Sequence, residues 1–78
     1  MIKIGLLWHD SSKRSIEEKL GPAIERYEAR FGVRPNVCYL HPETRLDVEE
    51  VAGLALFSSC RLLLNHFWLA FDSEAEAA

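Results

Sequence analysis

No excess of positive charge is present in this chain of 78 residues, in which nine Lys and Arg are outnumbered by twelve Asp and Glu for a formal net charge of -3. A polyanion meets no general attractive field, so nucleic-acid binding would need a local basic patch. Long apolar runs are missing as well. The run Ile2 to Trp8 is short, carries Lys3 and leads into polar residues without a cleavage site, so it reads as neither a membrane span nor a signal peptide. The cytoplasm is the expected location, with no membrane partner. Cysteine is scarce: Cys38 and Cys60 sit in separate apolar runs instead of a C-x-x-C pair, and they read as free buried thiols rather than a disulfide or metal site. The chain contains no G-x-G-x-x-G, no P-loop and no nucleophile-elbow context. Glu49 and Glu50 diverge on a strand or a helix alike and make no convincing catalytic pair. No cofactor is expected.

What is there supports a packed globule. The composition is 49% hydrophobic, enough for a core, although the length is near the lower limit for a single apolar core to suffice. One α/β domain over residues 1–71 is expected, with Asp72 to Ala78 as a disordered acidic tail.

Met1 to Trp8 is rich in β-branched and aromatic residues and closes on polar residues from His9, which makes it strand one. Ser15 opens S-I-E-E, a capping box in which the hydroxyl and the Glu18 carboxylate each satisfy the other's backbone. Behind it Ile16, Leu20, Ala23, Ile24, Tyr27 and Phe31 form one apolar stripe at helical period. Pro22 inside this pattern predicts a kink or a restart of the helix. Gly32 predicts the stop through a left-handed cap, with Val33 folding back on Tyr27. Arg34-Pro35 then forces extended backbone into Val37 to Leu40, a strand apolar enough to be buried on both faces.

The later half is less patterned. Pro42 to Glu50 reads as a loop, with a helical turn over Asp47 to Ala52. Leu54 to Phe57 and His66 to Phe71 read as strands joined by Ser58 to Asn65, while a helix over Ser59 to Leu69 is the alternative. The resulting expectation is a small two-layer α/β (α+β) sandwich, a β-α-β unit followed by a β-hairpin or return strand, with one helix on one sheet face. The other face must be polar, covered by residues 47–64, or buried in a partner.

Tyr27, Phe31-Gly32, Pro35-Asn36, Cys38, His41-Pro42 and Asn65-His66-Phe67-Trp68 together resemble a pattern found in short bacterial proteins of unassigned activity. The resemblance covers most of residues 2 to 70. It implies a small protein complete in itself, and no catalytic residue, substrate or cofactor.

Two groups of residues are candidates for function. His9 and Asp10 follow strand one and His41 follows strand two; if those strands are parallel neighbours, their carboxyl ends bring the three together, where ligands bind in open α/β sheets. Two imidazoles and a carboxylate there suit a divalent metal or general acid-base work. Phe67, Trp68 and Phe71 form the second group. An extended run puts Trp68 opposite Phe67 and Phe71, and aromatic surface on both sides suits an interface. By contrast, Arg26, Arg30 and Arg34 interleave with Glu25 and Glu28 as a solvated face, and the cations and hydroxyls from Ser11 to Ser15 lack a Gly-rich loop to wrap an anion. The reading that follows is a non-enzymatic module that forms a homodimer or binds a partner protein through its last strand, taken to be near a sheet edge. The alternative is a small-ligand or metal-dependent enzyme using His9, Asp10 and His41.

Overall fold

The computed structural model describes residues 4–44 and 49–73. In chain order these form β1 (Leu6–His9), α1 (Ile16–Phe31), β2 (Val37–Leu40), β3 (Glu50–Val51), β4 (Leu54–Ser58) and β5 (His66–Ala70). The expected start of strand one at residues 1–3, part of the expected helical turn at residues 45–48 and the tail at residues 74–78 lie outside the described residues.

The helix follows its local signals. Glu18 N–H donates to Ser15 Oγ at 3.2 Å and Ser15 N–H donates to Glu18 Oε1 at 3.3 Å, the reciprocal bonds of a capping box. Gly32 adopts φ 75°, and its N–H donates to the Glu28 carbonyl at 2.9 Å. Val33 beyond it is half exposed. Pro22 neither stops nor restarts the helix, which runs unbroken from Ile16 to Phe31. A Cβ at Gly32 would meet nothing within 4 Å, so Gly32→Ala isolates the backbone cost of a left-handed φ. Thermal denaturation is expected to show a loss of about 1 kcal/mol. An unchanged or higher Tm would remove the cap from the account of how the helix ends.

One five-stranded sheet has the order β1-β5-β2-β4-β3. β5 runs antiparallel to both β1 and β2, whereas β4 is parallel to β2 and antiparallel to β3. The β-α-β unit is therefore split: β1 and β2 point the same way, but β5 lies between them. The expected edge position of the last strand is thus corrected. β5 carries Phe67 and Leu69 on one face and Trp68 and Ala70 on the other, all but Trp68 fully buried, and a strand apolar on both faces loses most by standing at an edge. The same run settles as strand, not as the helix alternative. Instead of a helical turn, residues 50–55 make a tight hairpin in which Ala52 and Gly53 take φ 54° and 81°.

The stripe of α1 packs on one face. Leu20, Ala23, Ile24 and Tyr27 bury themselves against Cys38, Leu40, Leu54, Phe67 and Leu69, with Leu6, Trp8 and Leu56 at the margin. At the far end Asn36 clasps the chain after β5: its Nδ2 donates to the Asp72 carbonyl at 2.8 Å, and Asp72 N–H donates back to Oδ1 at 2.7 Å. Asp72, expected to begin a fraying tail, is held in this way. Cys38 is buried and its thiol is pushed up to about 12 by that burial. Cys60 is exposed, contrary to expectation.

Candidate functional site

Because β5 separates β1 from β2, the carboxyl ends that carry His9 and His41 are not adjacent. Two of the three expected ligands, Asp10 and His41, are instead tied into their own surroundings. Asp10 Oδ1 accepts from Ser12 N–H at 2.8 Å, and Oδ2 accepts from Arg14 Nη2 at 2.7 Å. Hydrogen bonds from Ser12, and then the Arg14 guanidinium, hold this carboxyl down at about 2. His41 Nδ1 accepts the Glu43 N–H at 3.0 Å, so that nitrogen's lone pair is committed to the turn after β2. Among the described residues, no group of three His, Cys, Asp or Glu side chains is placed to hold a metal ion.

The partner that the topology gives to His9 is His66. The two are directly paired across β1 and β5, and their ring centroids are 4.6 Å apart with the planes tilted by 43°. Sequence reasoning missed this pair because it requires knowing that the first and last strands are neighbours. Both residues belong to the sheet face that α1 does not cover.

That face carries a second, apolar row. Leu7 pairs with Trp68, Trp68 with Tyr39, and Tyr39 with Phe57, so four side chains cross four strands at one level. Directly paired residues point to the same side of a sheet, and this is the side opposite Leu6, Trp8, Phe67 and Leu69. Leu7 is 53% exposed and Phe57 47%, while Tyr39 and Trp68 are half-buried. The Tyr39 and Phe57 rings are 5.5 Å apart. Next along the strands, Val37 and Ala70 are fully buried.

The expected interface residues therefore separate. Phe67 is 1% exposed and belongs to the helix-facing core, which removes it from any surface. Phe71 lies beyond β5 and is 39% exposed, and Trp68 alone stands in the open row. Among the described residues no helix is long and apolar enough to cross a membrane. No family model, curated protein or solved structure matches this chain.

Proposed function

We propose that this chain is a small non-enzymatic interaction module that pairs with a second copy of itself through the open sheet face, in the cytoplasm. The observation that carries the reading is the row Leu7, Trp68, Tyr39 and Phe57 on the face that the single helix leaves uncovered. Four strands span three spacings, roughly 14 Å, and an apolar band that wide is normally buried against something. None of the four side chains is charged, so an acidic or basic partner gains no ion pair along the row. A second copy offers the same apolar band in return, and a two-fold arrangement lays row on row as two sheets about 10 Å apart. The small size of the domain works in the same direction, because pairing adds apolar burial that one helix and one sheet cannot supply alone.

Light scattering coupled to size exclusion at micromolar concentration tests the proposal. A mass near twice 8.9 kDa is expected, falling to the single-chain value for Phe57→Glu with the far-UV CD spectrum retained. Phe57 is the suitable position because it is half exposed on β4 and outside the helix-facing core. A single-chain mass for the unaltered protein sinks self-association. The enzyme reading has less support, since Asp10 and His41 are held in separate local networks and the ring that meets His9 is that of His66.

A further inference from the structure

We propose that His9 and His66 form a binding site for a divalent first-row transition ion, such as Zn2+, Ni2+ or Cu2+. The inference is independent of self-association. It starts from the register that pairs the two residues on β1 and β5, and from bonds that continue past them: Asp10 N–H donates to the Asn65 carbonyl at 3.0 Å, one position beyond the pair. The strands are thus held together on both sides of the histidines. Asn65, at φ 65°, turns the chain into β5 immediately before His66.

The ring geometry suits chelation. Imidazole nitrogens bind these ions at about 2.0–2.1 Å, and two rings converging on one ion have centroids roughly 4.5 Å apart at a square angle and roughly 5.2 Å apart at a tetrahedral one by the same bond length. The observed separation is 4.6 Å. Tautomer adds a second condition. His66 Nδ1 lies 3.0 Å from the Leu64 carbonyl oxygen, and since a carbonyl only accepts, the neutral ring carries its proton on Nδ1. The Nε2 lone pair is then available, in the arrangement usual for metal-bound histidine, whose other nitrogen donates to a backbone carbonyl. His9 is exposed. His41 is excluded by the opposite arrangement, because its Nδ1 already accepts the Glu43 N–H.

Imidazole nitrogen favours Zn2+, Ni2+ and Cu2+ over Mg2+ or Ca2+. With two protein nitrogens the ion keeps further positions for water or for a group on a docked molecule. The apolar row containing Leu7 and Trp68 is two residues away along the same strands, about 7 Å, so whatever covers that row comes within reach of the ion.

The test uses the full chain, stripped with EDTA and titrated with Zn2+ by calorimetry and with Ni2+ by NMR. One ion per chain is expected, with paramagnetic broadening of the His9 and His66 imidazole signals before that of His41. His9→Gln and His66→Gln should each weaken binding at least tenfold, whereas His41→Gln and Cys60→Ser should change it less than twofold. His9→Gln lies at an exposed position on an edge strand, so its fold is retained even if that of His66→Gln is not. Binding that survives His9→Gln, that disappears in Cys60→Ser, or that fails to saturate at one equivalent overturns the site; the last result would mean an adventitious ion only.

Discussion

Replacing Gly5 with alanine is expected to destabilise the protein by about 3 kcal/mol, at the upper end of what an overpacked site costs. For a domain of this size that is a fall in Tm of roughly 12–24 °C. A Cβ on Gly5 would stand 2.5 Å from the Leu69 carbonyl oxygen and 2.7 and 2.8 Å from Cε2 and Nε1 of Trp68. The indole would have to swing aside. The carbonyl cannot, because Leu69 is in β5, bonded to strands on both sides and buried against the helix. Relief of the carbonyl contact must come from β1 moving off β5, and Trp68 must also leave its place over Gly5. The displacement is visible: in a Trp8→Phe background, where Trp68 is the sole indole, its emission should shift to the red as water reaches it. An alanine variant with unchanged Tm and emission would show that the approach of Trp68 to Gly5 is not part of the native packing. The effect also bears on function, since the displaced indole is a member of the proposed contact row.

Gly5 illustrates how much of this fold could be read from the residues alone. Inside the run Met1 to Trp8 it is one small residue among apolar ones, and a strand glycine signals close approach without saying of what. Its neighbour is Trp68, 63 positions later in the sequence. The helix was legible because its determinants are local: Ser15 and Glu18 are three residues apart, and the Gly32 N–H reaches the carbonyl of Glu28. The existence of β2, β4 and β5 was legible for the same reason, from short apolar runs between turn residues. Their order was not. Apolar content suggested that strands one and two were both interior, but β1 stands at the sheet edge with half-exposed Leu7 and exposed His9 on its outer face, whereas β5 has a neighbouring strand on each side. That single exchange moved His66 beside His9, put β5 between the strand ends that carry His9 and His41, and carried Phe67 out of the expected interface into the core. The alternation of Phe67 and Leu69 against Trp68 and Ala70 was the available signal, and it pointed to a central strand.

Replacing Pro22 with alanine is expected to stabilise the protein by about 2 kcal/mol, with Tm raised by roughly 8–16 °C. Pro22 sits within the unbroken helix Ile16–Phe31, exposed and away from the stripe that packs on the sheet. It has no N–H to donate to the carbonyl of Glu18, and its ring crowds that same carbonyl, a combination that costs about 3 kcal/mol in a helix interior. Part of that cost is offset in the unfolded chain, whose freedom proline restricts by about 0.4–1 kcal/mol. Alanine restores the donor, fits the helix without new contacts and leaves Leu20, Ala23 and Ile24 in place against β1 and β5. The capping box one turn earlier offers an internal control: Ser15→Ala should lose about 1 kcal/mol in either background, because its bonds to Glu18 use the side chains and N–H groups of the first turn and not the Glu18 carbonyl. If Pro22→Ala leaves Tm unchanged, the helix bends around the proline with the Glu18 carbonyl satisfied by water, and the straight path of hydrogen bonds is not worth restoring. If Tm rises as expected, the penalty at Pro22 is one that the sheet packing of the helix carries in the native protein.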